Sequence, residues 1–464
     1  MADAEHNGER LRVPPPLIRR RLPSGRGATE QPNAGHDGDA ALSPLFWAAV
    51  VITGIATGLL GDAMMAILFF FEHHSFGYST GSFEAGVEHA SALRRVTVLM
   101  IAGAFGGIAW YLLRHYTKGK QSDIDDALWT GTGVLSFRRS FGTSVISEMV
   151  VGMGASLGRE AAPKLMGGAA GSVLAQRLRL SVAQRRLLVA CGGGAGLAAV
   201  YNVPLGGALF TVEIMIGAIT LPTVLPALAC SGIATITAWI YLPNHATYPD
   251  VPGYQSDARV VVWALLAGPL IGLLASAYLR LIGWVSHHRV PGRAALIAPF
   301  IAFTILGLIG IGYPQLFGNG KGMAHDAFLG LGGLSLLAAL AILKPLVTVL
   351  CLSSGASGGL FTPLLSTGAV LGAALGIGWS HLWPGSPVGA YAMIGATAAI
   401  GAAMQAPLSA LALVMELTHS GFGLMVPMLI ATATATAITR YIDGYSIYSA
   451  RLPARAPTDR PQAQ

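Results

Sequence analysis

Asn202-Val-Pro-Leu-Gly-Gly-Ala-Leu-Phe-Thr-Val-Glu213 returns 203 residues later as Gln405-Ala-Pro-Leu-Ser-Ala-Leu-Ala-Leu-Val-Met-Glu416. Amide, proline–leucine and glutamate keep the same spacing in both copies. Upstream, Gly158-Arg-Glu-Ala-Ala-Pro163 is matched by Gly358-Gly-Leu-Phe-Thr-Pro363 at an offset of 200. Two matched pairs at nearly equal offsets are more than composition alone supplies. They divide the chain into related halves, roughly 45–218 and 219–449, interrupted by glycine and proline at corresponding places.

The surroundings of these motifs say what kind of halves they are. Of 464 residues, 53% are hydrophobic and only 11% charged, against about 25% charged in an ordinary soluble domain. Glycine occurs 60 times, without the three-residue period of a collagen-like chain, and the apolar fraction is far too high for disorder. From about Leu45 to Ser449 apolar segments follow almost without pause: 46–71, 96–113, 187–217, 220–241, 260–285, 294–312, 333–352, 364–382 and 389–440, the last holding two or more helices. Others, such as 123–131 and 160–175, are too short or too glycine-broken to cross a core about 30 Å thick. Non-helical backbone survives at membrane depth only where protein or a cavity surrounds it. The broken segments therefore mark a pathway, and repeated halves broken at matching positions point to a transporter's binding site. The expectation is an all-α polytopic membrane protein with broken and re-entrant helices.

Residues 1–44 are polar and rich in proline and glycine, and carry Arg10, Arg12, Arg19, Arg20, Arg21 and Arg26. They lack the apolar core of a signal peptide and read as a disordered cytoplasmic tail. Residues 450–464 read as a short cytoplasmic tail without regulatory domains. Further basic residues cluster at Lys118, Lys120, Arg138 and Arg139, at Arg177, Arg179, Arg185 and Arg186, and at Arg280, Arg289 and Arg293. Segments 77–92, 243–258 and 383–391 are read as the opposite, non-cytoplasmic rim. The positive-inside rule then puts both termini in the cytoplasm, with the body in a plasma (inner) membrane. The net charge of +7 thus reports orientation rather than a nucleic-acid surface. Cys191, Cys230 and Cys351 lie in apolar stretches, too scattered for a disulfide framework or a zinc site.

Each matched glycine motif opens a helix whose first turn holds or closely precedes proline. The first N–H groups of a helix have no partner inside it and carry the positive end of its dipole. Two such ends converging at mid-membrane would hold a dehydrated anion with no full positive charge nearby, a lysine being too strong a ligand for turnover. Glu160 then stands out. A carboxylate at a helix start is favourable in its own right, but an intramembrane carboxyl is also a functional candidate. Ionised, Glu160 competes with the anion for the same N–H groups; protonated, it releases them. It reads as both gate and proton carrier.

Gly158-Arg159-Glu160, Gly359-Leu360-Phe361-Thr362-Pro363, the Asn202/Pro204 and Pro407 helices, and Tyr448 within Ile-Tyr-Ser-Ala resemble the chloride channel (CLC) family over about residues 45–452. The resemblance implies a homodimer in the lipid bilayer, each subunit an inverted repeat with its own anion pathway. Members are either proton/anion exchangers or passive channels. Chloride or another small anion would be the ligand, protons the coupled partner, and no further cofactor is implied. By position Glu160 resembles the external gating glutamate. Leu360 and Phe361 would offer backbone N–H groups and Tyr448 its hydroxyl, with Arg159 counted in the same anion-binding set.

Three departures from the family pattern bear on mechanism. Gly119, in Lys118-Gly-Lys-Gln-Ser122, stands where the family has a filter serine, which bears on selectivity; Lys118 and Lys120 beside it would add positive potential at the inner mouth. Proline comes one place late in Gly-Arg-Glu-Ala-Ala-Pro, and Lys164 follows it, able to pair with a carboxylate or to sit near the filter. Glu213 is followed by Ile214, where many exchangers carry a second glutamate as internal proton acceptor. Isoleucine carries no proton. Glu213 and Glu148 are the remaining candidates for an internal relay, Glu148 alternatively pairing with a lysine such as Lys344. Exchange is favoured by Glu160 and a passive channel by Ile214.

Other motifs are weaker. Gly154-Ala-Ser156-Leu-Gly158 mimics a hydrolase elbow without the strands that elbow needs. Gly355-Ala-Ser357-Gly358 mimics an intramembrane serine protease, which needs a histidine base such as His381 or His419 within reach. Adjacent histidines, His73-His74 and His287-His288, are poorly spaced for a metal. The chain is read as a transporter and not an enzyme.

Overall fold

Local chemistry decides where the helices begin and end. The computed structural model describes residues 43–117, 119, 123–129 and 131–452. Lys118, Lys120 and all but the inner edges of the two tails lie outside these. The first half comprises α1 (Pro44–Phe76), α2 (Phe83–His89), α3 (Ala92–Tyr116), α4 (Ile124–Trp129), α5 (Phe137–Gly152), α6 (Ala161–Arg177), α7 (Val182–Tyr201) and α8 (Pro204–Phe210). The second comprises α9 (Leu221–Ala238), α10 (Ala258–His287), α11 (Ala298–Ile309), α12 (Lys321–Phe328), α13 (Leu334–Ser353), α14 (Phe361–Ser380), α15 (Val388–Met404), α16 (Pro407–Thr418) and α17 (Met425–Ile442). The fold is all-α, as expected.

Seven helices among the described residues are long and apolar enough to cross a membrane: α1, α3, α9, α10, α13, α14 and Phe422–Ile442, which contains α17. In α1, Ser43 accepts from the Phe46 N–H at 3.2 Å, Pro44 starts the first turn, and Gly77 ends the helix at φ 71°. Its outward side carries Ile52 and Leu59, and α10 likewise exposes Leu266 and Leu273. Apolar surface facing outward is what a bilayer solvent requires.

The long apolar runs 187–217 and 389–440 are broken, and in the same way. Asn202 and Gln405 both take the left-handed conformation, at φ 57° and 58°. The next N–H groups bond back at corresponding places, Val203 to Ala198 O at 3.0 Å and Ala406 to Gly401 O at 3.1 Å. Proline then restarts the chain as α8 and α16. One feature has no counterpart in the sequence pattern: α8 runs into a π-helical turn, Thr211–Ile216, which carries Glu213 and Ile214.

The halves also pack alike. A Cβ on Gly167 would collide with the Gly192 backbone, bringing α6 and α7 into backbone contact. Gly368 and Gly395 do the same for α14 and α15. Glu213 accepts from the N–H groups of Leu408 and Ser409, at 3.2 and 2.7 Å, at the start of α16. Reciprocally, Glu416 accepts from those of Leu205 and Gly206, at 3.0 and 2.6 Å, at the start of α8. Each half caps the other's helix. Such exchange of equivalent contacts is the signature of a two-fold relation. Cys191, Cys230 and Cys351 are buried and unpaired.

Candidate functional site

The two glycine motifs meet. Gly158 and Gly359 form an antiparallel bridge, each N–H donating to the other's carbonyl at 2.8 Å. The bridge brings the first turns of α6 and α14 side by side. Glu160 stands at the N-cap position of α6, yet its side chain makes no bond to its own helix. It crosses to α14 instead. Phe361 N–H donates to Oε1 at 2.8 Å, and the Thr362 hydroxyl donates to Oε2 at 3.1 Å. The Tyr201 hydroxyl, from the last residue of α7, donates to Oε2 at 3.2 Å. A Cβ on either Gly158 or Gly359 would overlap this carboxylate. Bare backbone on both sides is what lets it lie there.

Beside the carboxylate is a cavity of about 80 Å³, lined among others by Glu160, Leu360, Phe361, Phe210, Tyr448 and Lys164. Its volume admits several waters or a small ion. Leu360 is the N-cap residue of α14, so the cavity faces the start of that helix. Tyr448 arrives on a segment tied down by the Ile447 N–H donating to Ala403 O at 2.8 Å. Its ring meets that of Phe210 edge-on, with centroids 5.8 Å apart.

Lys164 resolves one of the sequence's alternatives both ways. Its ammonium is 3.3 Å from Asp125 Oδ2, and it sits 4.5 Å from the centroid of the Tyr448 ring. It pairs with a carboxylate and lines the cavity.

Four of the residues read from sequence therefore share one site: Glu160, Leu360, Phe361 and Tyr448. Others stand elsewhere. Gly119 is exposed, at φ 74°, with no described residue near where a Cβ would sit and no place in the described cavity wall. Arg159 is buried with its guanidinium 4.9 Å from the Tyr201 ring centroid, and is not among the residues lining the cavity. Glu213 is engaged by two N–H groups and by the Ser409 hydroxyl at 2.6 Å, as a helix cap.

Glu148 is fully buried and neither oxygen has a hydrogen-bond partner among the described residues. The expected pairing with Lys344 does not occur: Lys344 Nζ donates to the carbonyls of Leu316 and Gly318, at 3.1 and 2.8 Å. Those carbonyls belong to a loop that turns in toward α13, and they satisfy the ammonium before any carboxylate reaches it. Ile214 is buried. Ser357 lines the cavity and its carbonyl accepts from the Ser147 hydroxyl at 2.7 Å, but no histidine is among the described lining residues.

Sequence reasoning missed two partners. Tyr201 sits directly before the repeated Asn202 motif, and Asp125 is one of three aspartates between 123 and 126. Nothing local distinguishes either, because each acquires its role from a residue about 40 positions away.

The family model described as "Voltage gated chloride channel" matches residues 102–440. A ClcB-like chloride channel protein of Ralstonia nicotianae is 33% identical over 382 residues, covering 77% of this chain and 85% of that one. The H(+)/Cl(-) exchange transporter ClcA of Yersinia pestis is 32% identical over 358 residues, 75% of this chain and 73% of its own. Among solved structures, a slow cyanobacterial Cl-/H+ antiporter matches with a TM-score of 0.77 at 22% identity, over 88% of this chain and 97% of that one. A CLC-type fluoride/proton antiporter matches with a TM-score of 0.72 at 20% identity, again over 88% and 97%. At those identities the likeness is one of fold.

Proposed function

The chain belongs to the voltage-gated chloride channel family, and on that premise we propose that it exchanges chloride or a similar small anion for protons, with Glu160 as gate and proton carrier. It is an integral membrane protein. One observation carries the reading: the Glu160 carboxylate holds the Phe361 N–H, at 2.8 Å, at the edge of the cavity an anion would occupy. That N–H is the first donor of α14, with no partner inside its own helix, and so the natural ligand of an anion. Carboxylate and anion cannot both have it. Protonation removes the charge that favours the carboxylate there, and the anion takes its place. One group thus ties proton binding to anion entry.

The test is the reversal potential of the purified protein in liposomes under imposed chloride and pH gradients. Exchange predicts a response to both gradients, and Glu160→Gln passing anions without any response to pH. Proton coupling that survives the substitution would remove Glu160 from the mechanism.

A passive anion channel is the second reading, favoured by Ile214 and by Glu213, whose oxygens are committed to the start of α16. It predicts no response to the pH gradient in the wild-type protein. The proposal extends to a homodimer in the plasma (inner) membrane with both termini cytoplasmic. The exposed Arg177, Arg179 and Arg186 on one rim support that orientation.

A further inference from the structure

Helix ends alone would give this cavity no full positive charge, yet Lys164 stands in it. Its ammonium is 3.4 and 3.3 Å from Asp125 Oδ1 and Oδ2, and Nζ has no other hydrogen bond among the described residues. Charge-assisted pairs normally close to about 2.7–2.9 Å, so this contact is loose and leaves donor capacity on a group with three N–H bonds. Two rings face the same ammonium, Tyr448 at 4.5 Å and Phe210 at 5.8 Å. Lys164, Asp125, Phe210 and Tyr448 line the cavity together with Glu160 and Phe361. The side chains of Lys164 and Asp125 are only 11% and 12% exposed.

We propose that Lys164 is an anion ligand of this cavity, with Asp125 a built-in competitor that keeps the grip weak enough for release. This rests on the reading of the chain as an anion transporter. An unpaired ammonium at this depth would bind an anion too tightly for turnover. Here the ammonium is already held by a carboxylate, so anion binding exchanges one partner for another. The strength of the site is the difference between two attractions rather than the whole of one. The arrangement parallels that of Glu160, which holds the Phe361 N–H against the anion in the same cavity. An ammonium is a compact, strongly hydrated point charge. It rewards small, charge-dense anions over large, weakly hydrated ones, so Lys164 also contributes selectivity.

Chloride binding to the full-length protein, by titration calorimetry, and chloride-against-thiocyanate reversal potentials in liposomes test this. Lys164→Met should weaken chloride binding by at least about tenfold, as expected for loss of a charged donor, and shift permeation toward thiocyanate. Asp125→Asn should tighten chloride binding and slow turnover. The double variant Lys164→Met/Asp125→Asn removes the pair without stranding a buried charge, and should keep the weak binding and altered selectivity of Lys164→Met. A folded double variant with wild-type affinity and selectivity would overturn the proposal, as would unchanged affinity in Asp125→Asn. A wild-type protein that passes no anion at all would instead refute the transport reading.

Discussion

Replacing Glu160 by alanine should tighten chloride binding, and its size follows from the geometry. The carboxylate receives three hydrogen bonds, from Phe361 N–H at 2.8 Å, the Thr362 hydroxyl at 3.1 Å and the Tyr201 hydroxyl at 3.2 Å. The two hydroxyls are 2.5 Å apart and already able to satisfy each other when the carboxylate leaves. The Phe361 N–H has no such alternative, so the net advantage of the closed arrangement is about one hydrogen bond to a charged group, roughly 1.5–3 kcal/mol. The N–H is then free in only about 1–10% of molecules, and apparent affinity is reduced by that fraction. Alanine removes the competitor. Chloride should bind roughly ten- to a hundredfold more tightly, measured by titration calorimetry on the full chain. Acidifying the wild-type protein should move its affinity toward that of Glu160→Ala, while the variant stays unchanged. An affinity that is unaltered or weaker in Glu160→Ala would mean that the carboxylate does not compete for this donor.

Gly359→Ala puts a methyl group where the Glu160 carboxylate lies, and should displace that carboxylate without removing its proton chemistry. Tighter chloride binding with a flattened pH profile is expected in liposome flux, and a wild-type profile would count against the cradle. Glu213→Ala and Glu416→Ala each strip a helix start of its cap. Each should cost about 0.5–2 kcal/mol by thermal unfolding, and to a similar extent given the two-fold relation. Loss of proton coupling in Glu213→Ala at unchanged stability would make that residue a proton acceptor instead of a cap.

Much of this architecture is legible along the chain because its signals are local. Proline after Asn202 and after Gln405 ends one helix and begins another whatever surrounds it, so the matched breaks can be read directly. Glycine before Glu160 and before Phe361 likewise marks where helices start. A charge-poor apolar chain makes a lone acid such as Glu160 conspicuous. Gly119, which its neighbours in sequence place at a filter position, is exposed and outside the described lining of the cavity.

What the sequence by itself determined is therefore the two broken halves, the helix ends and the acid, Glu160, that stands at one of them. Only the tertiary structure decided what that acid holds. Glu160 reaches Phe361 across 201 residues, and Glu213 spends its oxygens on Ser409 across 196. Lys164 enters the cavity on the arm of Asp125, and Glu148 is left without Lys344. The reason is physical. Helix starts follow from backbone preferences over a few residues, whereas a buried polar group takes whichever partner the packing of helices brings within about 3 Å.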